Sequence, residues 1–168
     1  MFLRSDRARR RTVRALAATM ALGAALAGSA PAAQAHSNVW ADYDTRKTSS
    51  CPCTLWDEYD GTYFQHDQGG KAARGRIYSG NELVGKMEFH PRGEEIWVYD
   101  TKANGDAIYW QIELDGYRGP IFRLDSGQRY GVYGGLVAEN LPIKVYAYDD
   151  LASDGSGKNL MATISGTT

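Results

Sequence analysis

From Leu55 onward, apolar and polar residues alternate in short runs. Ile108, Trp110, Ile112 and Leu114 point one way, and Tyr109, Gln111 and Glu113 the other. The same period of two sets Ile143, Val145 and Ala147 against Lys144, Tyr146 and Tyr148, and it recurs in Leu83, Gly85, Met87, Phe89 and in Leu160, Ala162, Ile164. A period of two is the signature of a pleated strand with one buried face. The runs are divided by turn chemistry: Pro91-Arg92-Gly93, Asn104-Gly105, Asp115-Gly116, Asp125-Ser126-Gly127 and Asp154-Gly155-Ser156-Gly157. Asn-Gly tolerates the positive φ of a tight turn, so a hairpin is expected between 95–101 and 106–114. Past residue 35 no stripe of 3.6-residue period is sustained. The pattern predicts an all-β domain of seven to nine strands over 54–168, arranged as an antiparallel two-sheet sandwich, with a closed barrel as the alternative.

The first thirty-five residues follow a different logic. Arg4, Arg7, Arg9, Arg10, Arg11 and Arg14 form a cationic opening, Ala15 to Gly28 an apolar run, and Ala33-Gln34-Ala35 a small-residue exit. That order of charge, apolar run and A-x-A site predicts a signal peptide over 1–35, hence a secreted, extracellular protein beginning at His36. The run is too short to cross a bilayer comfortably. Removing it leaves thirteen basic and nineteen acidic residues, a net charge of −6. Such a surface repels phosphate backbones and offers no basic helix to anionic lipid, which argues against nucleic-acid and membrane partners.

Residues 36–53 are polar, with Trp40 and Tyr43 as the large apolar groups after Val39. They are expected to form an extended arm, since such a segment cannot bury itself. The arm ends in Cys51-Pro52-Cys53. In an oxidising compartment two cysteines pair, and residues i and i+2 are at most about 7 Å apart, so a local disulfide is the leading reading. Intermolecular bonds and a thiolate metal pair are the alternatives.

The stretch from Val84 to Asp115 carries Phe89, Gly93-Glu94, the apolar strand Ile96 to Tyr99, Asp100 and the turn Asn104-Gly105-Asp106. This pattern resembles one recurring in small secreted actinobacterial β-sandwich proteins. Some proteins of that description are similar to the adaptor subunit of umbrella toxin particles, in which an extended N-terminal segment docks into a partner. The resemblance implies a β-sandwich fold and a role in protein contact.

Catalytic patterns are weak. Glu94-Glu95 and Asp149-Asp150 are sequence neighbours, so on a strand they face opposite ways and do not flank one glycosidic bond. Asp100 to Gly105 begins like a calcium loop, but Lys102 places a cation where an oxygen belongs. No G-x-S-x-G is present. We therefore expect a non-catalytic protein without a cofactor or resident metal. Its partner-binding surface is expected at Trp40 and Tyr43 of the arm and at Tyr109, Tyr146 and Tyr148 on the outward phase of their strands, because tyrosine supplies amphipathic contact area at low entropic cost. The lead reading is an adaptor for a secreted protein partner. The second is a carbohydrate-binding module for a polysaccharide, favoured if tyrosine and tryptophan rings share one sheet face. The third is a copper-binding protein using the amine and imidazole of His36, completed by His66 or His90.

Overall fold

The computed structural model describes residues 36–102, 104–125, 127–135 and 139–168. The signal peptide expected over 1–35 lies outside the described residues. Eleven strands follow in chain order: β1 Val39–Lys47, β2 Cys53–Leu55, β3 Thr62–Phe64, β4 Lys71–Ser79, β5 Glu82–His90, β6 Glu95–Asp100, β7 Tyr109–Leu114, β8 Tyr117–Arg123, β9 Tyr130–Tyr133, β10 Pro142–Leu151 and β11 Gly157–Thr167. Among the described residues there is no α-helix, only a 3₁₀ turn at Thr48–Ser50. All strand pairs are antiparallel.

The architecture is all-β, as the alternation predicts, but the hydrogen bonds do not describe the two comparable facing sheets of a sandwich. One sheet runs β8-β7-β10-β11-β4-β5-β6-β9, with β1 on the free side of β4, and β2 and β3 form a small second sheet. A single bridge, Thr167 to Lys71, joins β11 to β4. The sheet curls there into a half-barrel, and its two halves face each other across one core. Close approach is made possible by glycine. A Cβ on Gly75 of β4 would sit 2.8 Å from Ile164 Cγ2, and one on Gly85 of β5 would sit 2.5 Å from Ile108 Cδ1. The outer edges, β8 and β9, do not pair. They meet through side chains, with the Phe122 and Tyr133 rings 4.5 Å apart.

The core follows the predicted phase. Ile77, Met87, Phe89, Ile96, Val98, Ile108, Trp110, Val145 and Ile164 are buried in one cluster. Leu160 is an exception: at 57% exposure it lies outside. Opposite Ala147 and Tyr148 the register slips past Met161, a bulge that turns Met161 into the core and Leu160 out. The hairpin expected at Asn104-Gly105 does not form. β6 pairs with β5 and β9, whereas β7 pairs with β8 and β10. The turn instead opens a crossover that carries the chain from one half of the curl to the other. Thr101 anchors its start, its N–H donating to Val84 O at 3.0 Å. Ile108 anchors its end against Gly85.

The arm reading also needs correction. Val39–Lys47 is extended, but it is paired residue for residue with Ser79–Lys71 of β4. Its polarity is matched by its neighbour: Asp42 is in register with Arg76 and Asp44 with Arg74, and both pairs form ion pairs. Val39 and Ala41, of opposite phase, pack against the main core. Residues 36–53 thus belong to the same unit as 54–168.

Cys51 and Cys53 form the expected close pair, with Cα atoms 4.6 Å apart, inside the range of a disulfide. The Cys51–Pro52 peptide is cis. Cys51 packs with Leu55, Phe64 and Ala72 in a second, smaller core.

Trp110 is fully buried and Tyr109 half-buried on the opposite face. Trp110→Ala is expected to destabilise the domain by about 3–5 kcal/mol, the range for emptying a buried aromatic site. Tyr109→Ala should cost a small fraction of that, as read by urea unfolding of the two variants side by side.

Candidate functional site

The outer face of β1, β4, β5, β6 and β9 carries two cross-strand rows. One reads Asp42, Arg76, Lys86, Tyr99, Tyr130 and the next Asp44, Arg74, Glu88, Trp97, Val132. These residues are directly opposite one another, so each contacts its neighbour along the row. The loop of residues 56–61 and the strand β3 cover the charged middle of this face.

The cover is held by Asp57. Its Oδ1 accepts backbone N–H bonds from Tyr59 at 3.0 Å, Asp60 at 3.1 Å and Gly61 at 2.9 Å. Its Oδ2 accepts from Lys86 Nζ at 3.2 Å and from Arg74 Nη1 at 3.3 Å. Lys86 is fully buried. Besides Asp57, its ammonium meets Asp60, Gly61 O at 3.0 Å and Glu88 Oε1 at 2.9 Å, and lies 4.4 Å from the Tyr99 ring centroid. An ammonium with this many acceptors and an aromatic face is compensated for leaving water.

Protonation follows from the same contacts. Burial alone would raise the Asp57 carboxyl, but the N–H bonds from Gly61, Tyr59 and Asp60 and the Lys86 charge outweigh it and bring it down to about 2. Burial also opposes the Glu88 charge. The hydrogen bond from His90, the Lys86 ammonium and the Thr62 hydroxyl at 2.5 Å nevertheless hold its carboxyl below the usual range. Burial lowers a lysine, yet the surrounding carboxylates, Glu88 first, keep Lys86 raised and charged.

Beside this network opens a cleft of about 360 Å³. Glu88 and His90 lie in its floor, where His90 Nε2 meets Glu88 Oε2 at 2.8 Å. Trp97 and Tyr99 form one wall, Tyr63 another, and Arg92 and Glu95 stand at the rim. The aromatic groups are continuous. Ring centroids step from Phe64 to His90 (5.0 Å), Trp97 (5.2 Å), Tyr99 (6.4 Å) and Tyr130 (6.1 Å). Glu95 orients the indole by accepting from Trp97 Nε1 at 2.9 Å. Tyr63 and Tyr130 are more than half exposed and Trp97 is partly so, leaving ring faces open to a ligand.

The residues singled out in the sequence do not form one surface. Trp40 is half-exposed on β1, stacked on Tyr78 with centroids 4.2 Å apart and donating from Nε1 to Gly80 O at 2.6 Å. Tyr43 is half-exposed on the opposite phase of the same strand. Tyr146 and Tyr148 are buried despite their outward phase. Glu113 and Arg118 seal them: Tyr146 OH donates to Glu113 Oε2 at 2.8 Å, and the Arg118 guanidinium lies 4.5 Å over its ring. Tyr148 OH donates to Gln111 Oε1 at 3.2 Å, and Tyr109 stands beside it in register. Alternation alone placed these rings outward. Neighbouring long side chains then covered them.

Sequence reasoning missed Lys86, Glu88, Trp97 and Tyr99, and it considered His90 only as a partner of His36. The signal was present in Lys86-x-Glu88-x-His90, where three ionisable groups share one face of a strand whose other face is apolar, followed by Trp97-x-Tyr99 of matching phase. The second histidine expected to complete a copper site does not reach His36: neither His66 nor His90 joins it in a ligand cluster among the described residues. Comparison of the chain with family models, characterised proteins and solved structures finds no match.

Replacing Lys86 by Met leaves Asp57, Asp60 and Glu88 clustered without their cation. A destabilisation of about 3–5 kcal/mol is expected in urea unfolding at pH 7. The wild type has its own acid limb. A carboxyl lowered in the folded state stabilises fully above its unfolded value and loses that contribution as pH falls through the folded one. For Asp57 this predicts a loss of about 2 kcal/mol between pH 4 and pH 2, and Asp57→Asn should flatten that limb.

Proposed function

We propose that this is a secreted, non-catalytic saccharide-binding protein whose ligand seats in the cleft beneath Tyr63. The observation that carries the reading is the conjunction of open ring faces at Trp97, Tyr63 and neighbouring Tyr130 with fixed polar groups in one concavity. The C–H face of a pyranose is weakly positive and stacks on the electron-rich face of an indole or phenol. Its hydroxyls need acceptors and donors close by. Glu95, Glu88 and Asp60 offer the first, and Arg92 and His90 the second. The volume is at the lower end of ordinary ligand pockets, matching one or two sugar residues rather than a long chain. The preponderance of carboxylates favours neutral or amino sugars over uronic acids, which would be repelled.

A second reading rests on a separate observation. Trp56 in the covering loop is 77% exposed, and Trp40, stacked on Tyr78, is 48% exposed. Two open indoles suit a protein partner, as an adaptor subunit would require. In this form the contact uses the outer face of β1 rather than a free arm.

Retention of the secreted protein on insoluble cellulose, chitin and xylan, together with a soluble oligosaccharide array, tests the first reading. At least one saccharide should be retained. Trp97→Ala should weaken that binding by about tenfold or more with an unchanged melt, while a Trp40→Ala/Trp56→Ala double variant binds as wild type. No retained saccharide, or an unaffected Trp97→Ala, would overturn the reading. Loss of partner capture in the double variant alone would favour the adaptor.

A further inference from the structure

Among the described residues there are two acidic clusters of this kind, and they differ in one respect. Asp57, Asp60 and Glu88 surround a cation that the fold supplies, Lys86. The other cluster joins His36 to Asp106 and Asp149. Among the described residues, His36 is the only basic group in ion-pair contact with either carboxylate. We propose that His36, Asp106 and Asp149 form a binding site for a divalent transition-metal ion of the copper or zinc kind.

Three observations carry this. The first is convergence. His36 Nδ1 lies 2.6 Å from Asp149 Oδ1 and 3.5 Å from Asp106 Oδ2, and the His36 backbone nitrogen lies 3.1 Å from the same Asp149 oxygen. Metal bonds of roughly 2.0–2.2 Å in a tetrahedron set ligand atoms about 3.3–3.6 Å apart, so a small widening of the His36–Asp149 contacts would admit an ion. The second is an unanswered acceptor. The Asp106 side chain is more than nine-tenths buried, and its Oδ2, facing His36, has no hydrogen-bond partner among the described residues. A buried carboxylate oxygen without a donor is costly, and a cation there would remove the cost. The third is access. A cavity of about 190 Å³, lined by Asp106, Tyr109, Arg123, Asp149 and Asp150, opens beside the cluster.

The donor set selects the ion. Imidazole with two carboxylates suits copper, nickel or zinc, whereas calcium and magnesium prefer all-oxygen shells. Cutting the chain after Ala35 strengthens the site, because it converts the His36 amide nitrogen into an amine. Amine and Nδ1 of one residue then chelate together, and their common direction toward Asp149 is the geometry a chelate requires. Both nitrogens must bind without their protons, so metal affinity is expected to fall as the solution is acidified. This site is remote in sequence and in its contacts from the saccharide cleft, and the two readings stand or fall separately.

Calorimetric titration with zinc chloride and with copper sulfate tests the proposal on protein released from a cleavable tag so that it begins at His36. One equivalent should bind with a dissociation constant below about 10 µM, copper tighter than zinc by the usual order. His36→Ala and Asp106→Asn should each weaken binding by about tenfold or more, since even loss of a supporting partner costs that much. His66→Ala serves as the control and should bind as wild type. Protein that retains Ala35 should still bind, but about tenfold more weakly. Asp106→Asn, with its melt checked in EDTA, keeps the test sound if Asp149→Asn fails to fold. Absence of stoichiometric binding in the wild type, or wild-type affinity in Asp106→Asn, would overturn the site. Equal affinity with and without Ala35 would remove the amine from it.

Discussion

The buried ammonium of Lys86 is the interaction on which the outer face of this protein depends. A lysine at 0% exposure must find acceptors within the fold, and Lys86 draws them from three places: the 56–61 loop, β5 itself and the face of Tyr99. Satisfying it pins the loop to the sheet, together with the edge-on contact of Tyr59 with Tyr99. The same contacts fix Glu88, and through Glu88 they fix His90 and Thr62. The cleft therefore has a polar floor held by hydrogen bonds and a wall whose indole is fixed by Glu95, an arrangement on which the proposed binding relies. Preorganisation of that kind lowers the ordering cost of binding.

Charge across this face is answered group by group: the row Asp44, Arg74, Glu88 alternates in sign, and the row Asp42, Arg76, Lys86 sets two cations side by side, each with its own carboxylates. Asp42 to Arg76 and Asp44 to Arg74 extend the pattern outward from Lys86 and Glu88 to the edge strand. Surface ion pairs taken singly are worth little. Here Arg74 is nearly buried and bridges Asp44 to Asp57, so β1 is coupled to the cover of the cleft. An N-terminal segment with few apolar residues is thereby held along its whole length, and its charges also make the edge unattractive to stray strand pairing.

The two acidic clusters show one principle resolved in two ways. Like charges brought together out of water need a positive partner. On the outer face of the sheet the chain provides lysine, and the carboxyls of Asp57 and Glu88 are lowered accordingly. Around His36 the balance is reversed: burial and the neighbouring Asp149 charge raise the Asp106 carboxyl, with His36 opposing them only in part.

What the sequence determined by itself is what depends on neighbours along the chain. Period-two alternation identified the strands containing Met87, Phe89, Trp110 and Val145 and the side of each that faces the core. Turn chemistry at Pro91-Arg92-Gly93 and Asp115-Gly116 marked real hairpins. The Cys51–Cys53 pair needs only three residues and was equally legible. What the tertiary structure alone decided depends on which strands meet. No local signal told that Asn104-Gly105 opens a crossover rather than a hairpin, or that one bridge at Lys71 makes a single curled sheet of what strand spacing suggests as two. Polarity misled for the segment 39–47, because its aspartates are answered by arginines some thirty residues away. Phase misled for Tyr146 and Tyr148, because exposure is set by the side chains beside a residue as well as by its own direction. The cleft and the His36 cluster are of the same kind. Each joins residues distant in sequence, and only closure of the curled sheet gives them a common address.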